Sequence, residues 1–423
     1  MFAALAAHLS PLLFLFLLSA VLPLSFAAAY LPACMHGGEE EEKEERERLG
    51  CTVLHEMAAK AGREVTCVRR VVRGEARGVA WSVVVHVVQA EPPCSSTQSM
   101  VLMHGANTSG VPTFGPFAVH NASRFGRVYV LDMPGFGESR IDARILDRSK
   151  NEAIAILGEV MWAVVDALCP PPSAPPLLCA HSFGCIVLTE MLAHRAAPSI
   201  MICPAGMLPT GGRWSAWHAL ALKLGLPMAG MRTAARLSPT VTAFLLRRIT
   251  SPYWRLYLRD LSAPDGIGDA FVAKVIDARF TYMRCNHPNL PRLLHLPSLP
   301  PLTFVFGEQD ELIPPHIGRF SCAVLRQAFG REACNLFVVG GEGHLVHAAP
   351  EKLDEAVSSA LTSASTSASP LPCIPLPLAF SAHLPHSDFN PKAAARCIRK
   401  GYVNALRAVG SPVASEVNDS WSI

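Results

Sequence analysis

The chain has 423 residues, of which 50% are hydrophobic and only 17% charged, and its mean hydropathy is +0.27. That length holds one large domain with appendages, or two domains, and the low charge assigns part of the apolar content to lipid contact or to a removable segment. A formal net charge of +3 shows no basic excess that would call for nucleic acid, while 13 cysteines, odd in number and without any C-x-x-C pair, exclude a disulfide scaffold and give no zinc site.

In chain order, the first feature is Leu9 to Ala29, 21 residues without a charge. A helix of that length crosses a bilayer. The same stretch also fits a signal peptide with the core LLFLFLLSAVL and an exit at Ala27, Ala28 and Ala29, although no Lys or Arg precedes it. Residues 1–29 are therefore expected to be a cleaved leader or a retained anchor, placing the chain in the secretory pathway or on a membrane. Residues 30–62 contain EEEEKEERER, seven acids and three bases from Glu39 to Arg48, which reads as a solvated acidic linker ahead of the folded part. Three N-x-S/T sequons, at Asn107, Asn121 and Asn418, are glycosylation candidates if the chain is lumenal.

From Val65 to Val339, β-rich runs alternate with helical stretches, the pattern of a mostly parallel sheet covered on both faces. The strand candidates are VTCVRRVV, WSVVVHVVQ, SMVLMHG, RVYVLDM, PLLCAHS, SIMICPAG, LTFVFGEQD and NLFVVGG. Several are continuously apolar, as strands buried on both faces must be. Cys179, Cys185 and Cys203 fall in such runs and read as buried thiols, and most cysteines read as free. NEAIAILGEVMWAVVDAL and FGCIVLTEMLAHRA carry helical spacing, and Pro170, Pro171, Pro172, Pro175 and Pro176 stop the first of them.

The alternation lapses at 207–298, an inserted helical cap before the seventh strand, so the core divides into 63–206 and 299–362. Residues 363–423 are Ser/Ala/Pro-rich and read as a low-complexity tail.

Ser182 lies between the strand PLLCAH and a helix, with Ala180 two before it and Gly184 two after it. A serine there serves equally as a helix cap. The small-x-Ser-x-small pattern, however, is that of a nucleophile elbow, a tight turn that holds Oγ clear of the backbone. A serine hydroxyl attacks at neutral pH only when a base removes its proton. His344, in the glycine-rich loop GGEGH after the last strand, is the candidate base, against the plain alternative of a polar loop residue. Asp310, ending FVFGEQD, is the candidate that orients the imidazole, with Glu308 and Glu311 as neighbours able to substitute. The amides of Phe183, at the helix start, and Ala106, in HGAN, are the candidates for the oxyanion hole, with His104 bracing that loop. Asp132 in LDMPGFGES also ends a strand, but Gly135, Gly137 and Ser139 make it the brace of a turn.

Taken together, HGAN, LDMPGFGES, AHSFG, GEQD and GEGHLVH, spread over Ser99 to Glu351, resemble the α/β-hydrolase superfamily. The resemblance implies a mostly parallel eight-stranded sheet with a cap over the serine, a Ser182, Asp310, His344 triad, Ala106 and Phe183 at the oxyanion positions, and no cofactor or metal. The turn and the GxGHxVHxxPE ending are similar to abhydrolase lipases and lysophospholipid acyltransferases; the latter carry an Asp five residues after the His, where this chain has Ala349.

From Met207 to Arg259 there is no acid but eight bases, interleaved with aromatics such as Trp214, Trp217 and Trp254. Such helices lie on anionic bilayers, or else pack their apolar side on the core with the bases in water. The expected activity is a serine hydrolase cleaving an ester of a lipid or other apolar acyl compound at a membrane surface. The alternatives are acyl transfer to a lysolipid or alcohol, and a non-catalytic binding protein on the same fold.

Overall fold

A computed structural model describes residues 39–106, 108–170, 175–207, 289–310, 313–330 and 332–366, with 256, 267, 276–277 and 284–285. The leader, the basic and aromatic residues of the cap from 213 to 259, Asn107, Glu311 and the tail beyond residue 366 lie outside the described residues. Among those described, no helix is long and apolar enough to cross a membrane.

Eight strands form one sheet: β1 (Val65–Ala76), β2 (Val79–Ala90), β3 (Ser99–Met103), β4 (Arg127–Leu131), β5 (Leu177–His181), β6 (Ser199–Ile202), β7 (Leu302–Gly307) and β8 (Cys334–Val339). Their order is β1-β2-β4-β3-β5-β6-β7-β8, and a two-residue strand, Arg140–Ile141, adds to β2. The pairs β1/β2 and β2/β4 are antiparallel and the other five are parallel, as the alternating sequence pattern predicts. Arg77 and Gly78, at φ 49° and 78°, make the two-residue turn that joins β1 to β2.

The side chains of the central strands alternate between two apolar layers. Val101 and Met103 of β3 join one layer with α3 (Lys150–Leu168), α4 (Gly184–His194) and α6 (Pro315–Phe329). Met100 and Leu102 join the other, against α1 (Glu39–Lys60), α2 (Gly110–Asn121) and α7 (Asp354–Thr366). Both layers exclude water, which is why these strands read as unbroken apolar runs.

Helix α1 corrects the expected linker at 30–62. Its second half buries Leu49, Val53, Leu54 and Ala58 against Phe114 and Phe117 of α2, each large apolar side chain stabilising by roughly 1.5–3 kcal/mol. A Cβ at Gly115 would stand 2.5 Å from Met57 Sδ, so that glycine lets the two helices touch. A disulfide, Cys51–Cys67, fastens α1 to β1, and the other seven cysteines described with their surroundings are free, in keeping with the reading of most as free. The sequon at Asn121 is closed to glycosylation in the folded chain, because its side chain is buried and its Nδ2 donates to Phe117 O at 3.0 Å.

The last helix of the inserted segment, α5 (Asn289–Leu294), is tied to the core. Asn289 Nδ2 donates to Ala205 O at 2.7 Å, and Arg292 pairs with the buried Glu190 of α4 at 2.6 Å. Because β3, β5, β6, β7 and β8 are mutually parallel in the sheet, the loops at their carboxyl ends gather along one edge.

Candidate active site

The loops after β5, β7 and β8 bring Ser182, Asp310 and His344 together. Ser182 sits at φ 49°, a left-handed conformation that a non-glycine residue holds only where its surroundings impose it. They do so here through the backbone: Ser182 N donates to Ile202 O at 2.9 Å, while its carbonyl accepts from Cys185 N and Ala205 N, both at 3.1 Å. The two small flanking residues have steric causes. Ala180 is fully buried, and a Cβ at Gly184 would stand 2.6 Å from His104 O and 2.7 Å from Met103 O.

Across the sheet edge, His344 Nε2 lies 3.1 Å from Ser182 Oγ, and His344 Nδ1 lies 2.8 Å from Asp310 Oδ2. A carboxylate accepts, so Nδ1 carries the proton and Nε2 presents its lone pair to the hydroxyl. Asp310 Oδ1 accepts from Ile313 N at 2.9 Å, which fixes the carboxylate plane, and its side chain is shut off from solvent whereas His344 retains 15% exposure. The turn after β7 and the loop after β8 are pressed together: Gln309 N donates to Glu342 O at 2.7 Å, and a Cβ at Gly307 would stand 2.1 Å from Gly343 O. Glu308, the possible substitute acid, instead accepts from Gly341 N at 3.1 Å and braces the same loop.

The HGAN loop runs beside the serine. A Cβ at Gly105 would meet Ser182 Cβ at 3.2 Å and His181 Nδ1 at 2.9 Å, so only glycine allows this approach. Ala106 is half-buried next to it, and Phe183 stands at the N-cap of α4, where amides lack intrahelical acceptors. His104 braces the loop as expected: its Nε2 accepts from Met133 N at 2.9 Å and its Nδ1 donates to Gly105 O at 2.6 Å. Burial lowers its pKa to about 4, so it stays neutral.

Asp132 is a brace too. It accepts from Gly110 N at 2.8 Å and Glu138 N at 3.0 Å, and Gly137, at φ 54°, leaves room that a Cβ 2.4 Å from Oδ2 would fill. Burial raises its pKa to about 6 against the pull of those two amides.

Two neighbours of the triad escaped the sequence reading. The His181 ring packs on those of His344 and His347 at 4.8 and 4.3 Å, and His181 Nε2 donates to His344 O at 3.0 Å. Burial, then the adjoining imidazoles, holds His181 well below the usual range, and burial takes His347 to about 3. Both are neutral packing groups supporting the His344 backbone. Their only sequence signal was proximity to the motifs, His181 directly before Ser182 and His347 three after His344. Cys203, just after β6, also reaches the site: it adopts φ 44°, is fully buried, and its thiol lies within 4.8 Å of a carboxylate oxygen of Asp310 and a ring nitrogen of His344.

The model of the alpha/beta hydrolase family matches residues 100–356, more than half of the chain. The chain belongs to the alpha/beta hydrolase family, and its fold is the α/β-hydrolase fold. No curated protein sequence matches it. Similar solved structures include a thermophilic esterase from Thermogutta terrifontis at 16% identity and TM-score 0.47, covering 71% of this chain and 100% of that one. Carboxylesterase CesB from Bacillus subtilis is similar at 17% identity and TM-score 0.48, covering 75% and 98%. A bacterial membrane phospholipase A, described as a virulence factor, is similar at 16% identity and TM-score 0.47, covering 83% and 99%.

Proposed function

We propose that the protein is a serine hydrolase that cleaves a carboxylic ester of a lipid or other apolar acyl compound through an acyl-enzyme. The reading is carried by the relay from Ser182 Oγ to His344 Nε2 at 3.1 Å and from His344 Nδ1 to Asp310 at 2.8 Å. Ser182 attacks the ester carbonyl as His344 takes its proton, and Asp310 stabilises the imidazolium. The amides of Phe183 and Ala106 meet the oxyanion. His344 then protonates the departing alcohol, and a water deprotonated by the same imidazole releases the acid. No cofactor or metal takes part.

The apolar substrate rests on two features. Leu345, next to the base, exposes 61% of its surface, and the cap sequence combines bases with aromatics without a single acid from 207 to 259. The uncharged leader, together with the Cys51–Cys67 disulfide, supports a secretory or membrane-surface location, where disulfides persist.

The test is fluorophosphonate labelling beside turnover of an ester-lipid panel, with and without anionic vesicles. Wild-type protein is labelled and hydrolyses medium or long acyl esters faster on vesicles; Ser182→Ala is unlabelled and loses about 10⁶-fold in kcat. Free acid as the product in the presence of a lysolipid acceptor distinguishes hydrolysis from acyl transfer. Absence of labelling in folded protein overturns the proposal.

A further inference from the structure

Behind the His344 imidazole, on the side away from Ser182, three donors of different kinds converge: the thiol of Cys203, the carboxylate of Asp310 and a ring nitrogen of His344. Their ligand atoms all lie within 4.8 Å of one another. Each arrives from a different strand end, Cys203 after β6, Asp310 after β7 and His344 after β8. Cys203 holds a left-handed backbone, φ 44°, at this position. The hydrolytic mechanism makes no use of that thiol.

We propose that Cys203, Asp310 and His344 form an inhibitory site for a thiophilic divalent cation of the zinc or cadmium type. The inference rests on the triad reading above for its effect on activity, but the binding stands on the donor set alone. Zinc holds sulfur at about 2.3 Å and nitrogen or oxygen at about 2.0–2.2 Å, so the donors of one ion stand roughly 3 to 4 Å apart. The three donors need only a small closure to reach that spacing. A thiolate and a carboxylate cancel the charge of a divalent ion, and the sulfur and imidazole select zinc or cadmium over magnesium or calcium. Entry is on the His344 side, since that side chain keeps 15% exposure and its loop carries Gly340, Gly341 and Gly343, around which space is open or in ordinary contact.

The consequence for catalysis follows from the tautomer. A cation on Nδ1 displaces the proton that Asp310 accepts, and the neutral imidazole then carries that proton on Nε2. Nε2 then donates to Ser182 Oγ and cannot take its proton. The cation therefore switches off the base without entering the acyl site. Binding releases the thiol proton to solvent and moves the single imidazole proton from Nδ1 to Nε2, with no change of oxidation state.

The experiment titrates zinc and cadmium chloride into the full-length protein, wild type beside Cys203→Ala and Cys203→Ser. It follows ester turnover, relative to each variant's own metal-free rate, and the ultraviolet charge-transfer absorption of cadmium thiolate. Wild type is inhibited at micromolar metal and gains a cadmium–thiolate band; both variants lose that part of the band, and their half-inhibitory concentration rises about tenfold or more. Calcium and magnesium leave the rate unchanged. His344→Ala, changed on a partly exposed loop, weakens cadmium uptake by about tenfold in the absorption titration, which reads the site even if the Cys203 variants do not fold. Equal inhibition of wild type and the Cys203 variants, or equal cadmium bands, overturns the site. If the wild type hydrolyses no ester, the hydrolase proposal fails, and the cadmium titration still decides the metal site.

Discussion

Two turns of this molecule carry a buried aspartate at the carboxyl end of a parallel strand, and they put it to opposite use. Asp132, after β4, has both oxygens occupied by backbone amides, Gly110 N on Oδ1 and Glu138 N on Oδ2. Asp310, after β7, gives Oδ1 to Ile313 N and keeps Oδ2 for His344. Burial is nearly equal, 4% and 3% of the residue surface exposed. A sequestered carboxylate is therefore no sign of chemistry by itself. What separates the two is whether one oxygen is left over for a group that changes its protonation during a reaction.

The sharpest way to break this comparison is Asp310→Asn. The amide preserves the acceptor toward Ile313 N but offers His344 a poorer partner and permits the wrong tautomer; kcat falls about 10⁴-fold while the protein stays folded, as steady-state kinetics beside thermal melting will show. Asp132→Asn is expected to do the reverse. It removes one carboxylate acceptor from two buried amides and costs about 1–3 kcal/mol in urea unfolding, while kcat/KM of the folded fraction changes less than tenfold.

A further effect concerns pH. Burial lowers His86 and His104 to about 4 and His347 to about 3, from 6.5 in the unfolded chain. Their contribution to stability is complete above pH 6.5 and is lost as pH falls toward 4, because the unfolded chain takes protons that the folded one refuses. Asp132 acts with the opposite sign: held at about 6 rather than 3.8, it takes up a proton more readily when folded, so acid strengthens the fold at this position. His181 and His316 are lowered as well and Glu190 is raised, so lowered histidines outnumber raised carboxyls; stability falls between pH 7 and pH 5, by about 1–2 kcal/mol for each of His86, His104 and His347, and thermal melting at the two pH values reads it as a lower Tm. In Asp132→Asn the opposing contribution is gone, so the same melting series falls more steeply below pH 6.

The order and location of the strands were legible because residues buried on both faces must be apolar along their whole length, as in LLCAH and LTFVFG. The three residues of the relay were legible because each is polar at the point where such a run meets glycine. Other parts were hidden for physical reasons. In α1 the charges of residues 39–48 mask the stripe Leu49, Val53, Leu54 and Ala58, which acquires meaning only once α2 supplies a partner. The Cys51–Cys67 pairing depends on a helix crossing an edge strand, which spacing alone does not specify. His181 and His344 are 163 residues apart, and their contact is a product of β5 and β8 ending at the same edge. Cys203 read as a small hydrophobe, correctly as to burial, but the left-handed turn that brings it to Asp310 leaves no mark in the sequence.

The contact of Gly307 with the carbonyl of Gly343 has a mechanical corollary. The two loops touch backbone to backbone at residue 307, so a side chain there could enter only by displacing the loop that carries His344. A substitution at residue 307 is thereby expected to move Asp310 and His344 relative to each other, although neither side chain is itself altered.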